Sequence, residues 1–222
     1  MTPTPGLITQ LINLFAALML LLSFGLLAQR RVLSLIHLFT LQGITLTAST
    51  TAMAFFTEQP HLYWSAAITL LLKVLLMPWL LHRMTERLNV RWDVETLINI
   101  PTTMLIGIVL VIFAFNLAAP ISGLSASVAS GTLGIALACV LLSFLMMITR
   151  TKAIPQVIGF LAMENALFFA ATSATYGMPM VVELGIALDV LVALIILGVF
   201  MFQIREQFDS LDIRHLEKLK ED

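Results

Sequence analysis

Runs of about twenty apolar residues alternate with short polar breaks along the whole chain. A hydrocarbon core about 30 Å thick takes about 20 helical residues to cross. The pattern therefore predicts seven transmembrane helices, near 7–28, 32–55, 64–82, 98–119, 130–149, 156–176 and 178–203. Alternate breaks carry the basic residues: Arg30 and Arg31; Arg83, Arg87 and Arg91; Arg150 and Lys152; then Arg205, Arg214, Lys218 and Lys220. By the positive-inside rule these breaks face the cytoplasm, which puts the N-terminus outside and the tail inside. Tyr63, Trp64 and Tyr176 fall at the predicted outer boundary and Trp92 near the inner one, where amphipathic rings prefer to lie. The opening MTPTPGLITQ has no basic n-region and no cleavage-like site follows it, so the first run reads as a retained helix.

Composition supports the pattern and removes alternatives. Of 222 residues 59% are apolar and 11% charged, with a mean hydropathy of +1.00, which excludes an ordinary soluble enzyme. A net charge of -1 gives no field to hold nucleic acid. One cysteine, Cys139, sits inside an apolar run and cannot build a disulfide framework, a zinc site or an iron–sulfur site. There is no phosphate loop, HExxH or CxxC pattern. No catalytic residue, cofactor or metal is expected on this chain.

The chain also repeats itself. LLSF occurs at Leu21–Phe24 and at Leu141–Phe144, with Arg30 and Arg150 equally far beyond. After a two-residue shift Gln42 aligns with Glu164 and Thr50 with Thr172; farther on LLKVL lies over ALDVL, placing Lys73 on Asp189. The expected architecture is all-α, with two parallel three-helix repeats joined by one extra helix. Its parts are a first repeat at 1–96, a linking fourth helix and outer loop at 97–129, a second repeat at 130–204 and a cytoplasmic tail at 205–222. The extra crossing is what lets both repeats share one orientation. The tail mixes charges with Leu211, Ile213, Leu216 and Leu219 and is expected to dock on a soluble partner.

Candidate chemistry lies at mid-membrane. Lys73, Glu164 and Asp189 fall near the centres of the third, sixth and seventh spans, with Gln42 at the same depth in the second. An ionised side chain there costs about 2.5–3.5 kcal/mol on the insertion scale, so these groups must pair, neutralise or meet water. Two readings follow: a fixed ion pair between Lys73 and one acid that clamps the repeats, or a row of protonatable groups that passes protons. Glu183 lies about a turn inside the outer boundary and could be a further station. His37, about one turn in from the cytoplasmic side, could shuttle protons or simply pack. Pro78 lacks an N–H and so frees the carbonyl of Val74, next to Lys73. Gly131, Gly134 and Ala138 form a small-residue stripe that permits close helix approach.

Four stretches carry a resemblance: WSAAITLLLKVLLMP at Trp64–Pro78, the MEN of Met163–Asn165, VELGIALDVLVA at Val182–Ala193 and SLDIRHLEKLK at Ser210–Lys220. Together they resemble the hydrogenase-4 component E family along the whole chain. The resemblance implies a non-catalytic membrane subunit of a complex I-related group 4 [NiFe] hydrogenase assembly, formate hydrogenlyase-like, in the inner (cytoplasmic) membrane of a prokaryote. Its implied partners are antiporter-like membrane subunits, a peripheral hydrogenase arm and the lipid bilayer. Each repeat is similar to complex I subunit K and to the small C subunit of multisubunit cation/proton antiporters, which implies a lateral proton path. On that comparison Asp189 matches the acid of the third helix. Glu164 matches less cleanly, because the frame of Ile158, Gly159 and Asn165 puts the subunit K glutamate at Leu161. Gln42 and Lys73 stand where acids would be expected, so Lys73 resembles a tuning charge. The rival functions are a purely structural docking subunit and a free-standing small-solute or ion transporter.

Overall fold

The structure is a computed structural model that describes residues 5–57, 60–87, 96–122, 129–175 and the single positions Leu191 and Gly198. Among the described residues the fold is all-helical, with no strand beyond an isolated bridge between Thr96 and Arg150. Its helices are α1 (Pro5–Ala28), α2 (Val32–Thr57), α3 (Pro60–Thr69), α4 (Met77–Arg87), α5 (Ile100–Ser122), α6 (Ala129–Thr149) and α7 (Ala153–Thr175). A π-helical stretch, Leu70–Leu76, joins α3 to α4 into one continuous span. Six of the resulting helical segments are long and apolar enough to cross a membrane. The predicted seventh span, 178–203, lies outside the described residues except for Leu191 and Gly198, and so do the tail, 205–222, Trp92 and Tyr176.

The helices form where few polar backbone groups are left for lipid to meet. Pro101 and Pro155 each occupy the first turn of a helix, where a missing N–H costs nothing. In α2 the hydroxyls of Thr40, Thr45, Thr47, Thr50 and Thr51 donate to carbonyls four residues back, at 2.8–3.0 Å. The helix thereby satisfies its own threonines, which is how so many hydroxyls can sit in an apolar solvent.

α2 packs against α1, α7 and the whole third span, while α6 packs against α1, α5 and α7. One core at the Arg150 end joins Leu26 and Leu27 of α1, Leu35 and Phe39 of α2, Leu81 of α4, Leu142 of α6 and Ile158 of α7. A second, deeper cluster joins Met19, Leu46, Cys139 and Phe169. α5 lies at the edge, and its Leu105, Ile108, Val109, Ile112 and Phe113 are exposed. An apolar outer face of this kind is what a bilayer or a neighbouring membrane chain covers. The small-residue stripe serves packing: a Cβ on Gly134 would stand 2.9 Å from Phe115 Cδ1, so its absence lets α5 and α6 close.

Arg150, read from the sequence as part of a basic break, is buried. It is only 2% exposed. Its Nη2 donates to the carbonyls of Leu27 at 2.8 Å, Gln29 at 2.9 Å and Leu26 at 3.3 Å. These are the carbonyls that the end of α1 leaves without N–H partners, carrying the negative end of the helix dipole. Arg150 thus caps one helix from the end of another. Gln156 Nε2 donates to the Arg150 carbonyl at 2.8 Å, and the Leu97 N–H to that of Thr149 at 2.9 Å. The ends of α1 and α6 and the starts of α5 and α7 are knotted there.

Candidate functional site

Lys73 and Glu164 meet in the middle of the bundle. The lysine sits in the π stretch and Glu164 in α7, each within about two residues of its span's centre. Lys73 Nζ donates to Glu164 Oε1 at 2.6 Å, and the two residues are 5% and 8% exposed. Phe168 lies one turn beyond Glu164 on the same helical face. Its ring centroid is 4.9 Å from Lys73 Nζ, so the ammonium is held by a carboxylate and by the face of a ring.

A line of neutral polar groups begins beside this pair. Asn165 follows Glu164 and so points about 100° away around α7. Its Nδ2 donates to Gln42 Oε1 at 3.3 Å, and Gln42 Nε2 donates to Ser23 Oγ at 3.2 Å. Ser23 Oγ in turn donates to the Met19 carbonyl at 2.9 Å. Gln42 and Asn165 are fully buried and Ser23 nearly so. Polar side chains of the third span, α7, α2 and α1 therefore lie in sequence across the bundle, at a depth where each would be costly alone. The carboxylate and the ammonium can exchange protons. The amides can only accept and donate hydrogen bonds, and the serine hydroxyl can do both at one atom.

The backbone around Lys73 is as unusual as its side chain. Bonding in the stretch runs to the fifth residue back, ending with the Met77 N–H on the Leu72 carbonyl. Pro78 follows at once. Opposite, on α2, a Cβ on Gly43 would lie 3.4 Å from the Lys73 carbonyl oxygen and 3.3 Å from Val74 Cγ2. The widened turn approaches α2 where there is no side chain.

Of the residues singled out by sequence, Lys73 and Glu164 are brought together, and Gln42 bonds to Asn165, the neighbour of Glu164. Asp189 and Glu183 lie outside the described residues. His37 stands apart: it is exposed on α2, five positions from Gln42 and so about 140° around the helix. Sequence reasoning named Ser23 only as part of a repeated LLSF and Asn165 only as part of a family motif. The signal that could have marked them was polarity within an apolar run at the depth of Gln42 and Glu164. Phe168 carried no such signal. Among the described residues no group of three or more His, Cys, Asp or Glu could hold a metal ion.

No known protein-family model matches the chain, and no solved structure does. Curated relatives do match, over nearly their whole length. The chain is 24% identical to hydrogenase-4 component E of Escherichia coli K12 over 213 residues, 96% of this chain and 98% of that protein, and it matches the Shigella flexneri protein of the same name equally well. This is a distant relation to a hydrogenase-4 component along the full chain. A nearer likeness, 32% identity over 209 residues, covers 93% of this chain and 95% of the uncharacterized protein Rv0085 of Mycobacterium tuberculosis. At that identity and coverage, the chain belongs to the same family as Rv0085.

Proposed function

We propose that this chain is a non-catalytic membrane subunit of a hydrogenase-4-like, complex I-related assembly, and that it contributes to proton movement through the buried polar line at mid-membrane. The carrying observation is the buried Lys73–Glu164 pair, with a separate hydrogen-bonded line of Asn165, Gln42 and Ser23 starting at the next residue of α7. A carboxylate that can take and release a proton stands at mid-depth against a fixed cation. A proton arriving there changes the charge balance of a pair that lipid cannot solvate. Asp189 of the predicted seventh span and Glu183 nearer the outer boundary are the further stations of this reading, and Lys73 is its tuning charge. The architecture proposed with it is seven crossings in two parallel three-helix repeats, with the N-terminus outside. Its partners are antiporter-like membrane subunits and a peripheral hydrogenase arm.

The test uses the assembled complex in sealed vesicles. Glu164→Gln and Asp189→Asn keep size and hydrogen bonding but cannot release a proton. Hydrogenase turnover with an artificial acceptor should stay near normal, since that chemistry lies on another chain, while coupled proton movement falls sharply in at least one variant. Wild-type pumping per hydrogen in both would overturn the relay.

A second reading draws on the short, closed contact between Lys73 and Glu164 and the Phe168 ring over the ammonium: the pair is a static clamp between the third span and α7. Normal pumping in the amide variants, together with loss of assembly in Lys73→Ala, would select it. A free-standing transporter is the third possibility, and hydrogenase and antiporter-like genes adjoining this one would exclude it.

A further inference from the structure

We propose that Pro78 is the positioning residue of the buried pair, because its ring and missing N–H hold the third span in the π-helical register that puts Lys73 on the same buried stripe as both flanks of its helix. The proposal rests on the relay reading only for its consequence, since its own observable is the register of the span. The buried residues described in the third span are Ala66, Thr69, Lys73, Met77, Leu81 and Thr85, spaced four apart from Thr69 onward. An α-helix turns about 100° per residue, so twelve residues carry Leu81 about 120° past the line of Thr69. In a continuous α-helix the two ends of this stripe would lie about a third of a turn apart rather than in line. The π stretch winds more slowly because its bonds close to the fifth residue back. It lies between Thr69 and Met77, where the correction is needed.

Local chemistry names the cause. An α-turn would press the Pro78 ring on the carbonyl of Val74, four residues back, and would lack the bond that carbonyl expects. A wider turn moves Val74 away from the ring. The last π bond, from Met77 to Leu72, is made by the residue just before the proline. Gly43 then gives the widened backbone room beside the Lys73 carbonyl. With Pro78 replaced, nothing local opposes an α-turn, and one flank must swing out of the bundle while Lys73 tilts off the line to Glu164.

The experiment places single cysteines at Thr69, Leu81 and Trp79 in a Cys139→Ser background of the full chain. The assembled complex, purified in detergent, is then labelled with N-ethylmaleimide. With Pro78 present, the Thr69 and Leu81 positions should stay unlabelled while Trp79, which is 53% exposed, reacts. With Pro78→Ala, one of the two buried positions should rise to the level of the Trp79 site while the other stays protected, and the energetic coupling between Lys73 and Glu164 should be lost. Gly43→Ala, which crowds the turn without restoring the N–H, should weaken that coupling and leave both flanks protected. If Pro78→Ala leaves both positions protected with the coupling intact, side-chain packing sets the register and the proposal falls. It falls equally if both become reactive, because the span has then come loose rather than turned. Failure of the relay reading would show in proton movement with this labelling pattern unchanged.

Discussion

Among the described residues two cations are buried, and they are held in opposite ways. Lys73, at mid-depth, meets a carboxylate and a ring face. Arg150, at the end of α6, meets only neutral acceptors among its hydrogen bonds, the carbonyls that finish α1. Burial lowers the Arg150 pKa from the ordinary arginine value, yet a guanidinium keeps its proton in proteins. Its partners cannot titrate either, so the contact has one charge state and reads as a lock. The Lys73 contact depends on a group that can gain a proton. The proposed relay needs such a group, and the Arg150 contact offers none.

The largest expected effect comes from breaking the lock. Arg150→Met removes the two N–H groups of Nη2 that three carbonyls share, and each hydrogen bond from a charged donor contributes about 1.5–3 kcal/mol, partly offset by the loss of the buried Nε and Nη1, which have no hydrogen-bond partner among the described residues. The loss should be several kcal/mol, enough that little chain reaches the membrane fraction or the complex. Arg150→Lys keeps the charge on a single point donor and should recover only part of the yield. Wild-type assembly in Arg150→Met would show that the lock contributes nothing, and the contrast with Lys73 would dissolve.

A smaller effect is expected at the midplane pair, with a different signature. Removing one member of a buried pair typically costs about 3–5 kcal/mol, whereas removing both is often close to neutral. Lys73→Ala and Glu164→Ala should each lower the thermal stability of the complex, and the double variant should be more stable than either. Additive losses in that cycle would mean that the 2.6 Å contact carries no coupling. No such recovery is available to Arg150, because its partners are backbone.

The spans themselves were readable because a bilayer imposes length and polarity on them. The predicted 32–55 and 130–149 meet helices at Val32–Thr57 and Ala129–Thr149. The third span, predicted at 64–82, runs from Pro60 to Arg87. Its amphipathic C-terminal end, with His82, Arg83 and Glu86 exposed, reads as a loop when judged by polarity alone. Depth was also readable, since counting from span ends put Lys73, Gln42 and Glu164 on one level. Pairing was not. It depends on how each helix is rotated about its axis, and near-uniform apolarity leaves no stripe to reveal that rotation. The sequence left open which midplane acid Lys73 would pair with; the described contact is with Glu164, and Asp189, its repeat counterpart, lies outside the described residues. Pro78 marked where the helix would lose a hydrogen bond, but a proline does not say whether a helix kinks or widens.

The smallest effect is expected at Arg30, and it tests whether burial or mere basicity sets Arg150 apart. In the sequence the two are counterparts, each at the same distance beyond an LLSF motif and each at the basic end of a span. In the fold they diverge: Arg30 is exposed, whereas Arg150 is enclosed by the carbonyls at the end of α1. An exposed charge makes only a small contribution to stability, and substitutions at such positions usually stay within about 0.5 kcal/mol. The orientation signal should also survive, because Arg31 keeps the same break basic and the other basic breaks are untouched. Arg30→Gln should therefore assemble and melt as the unmodified protein does, in contrast to Arg150→Gln, which leaves a fork of lone carbonyls with one neutral amide to share. If Arg30→Gln instead reduces insertion as strongly as Arg150→Gln, both residues act through the charge balance across the membrane, and the capping of α1 is incidental to what Arg150 does.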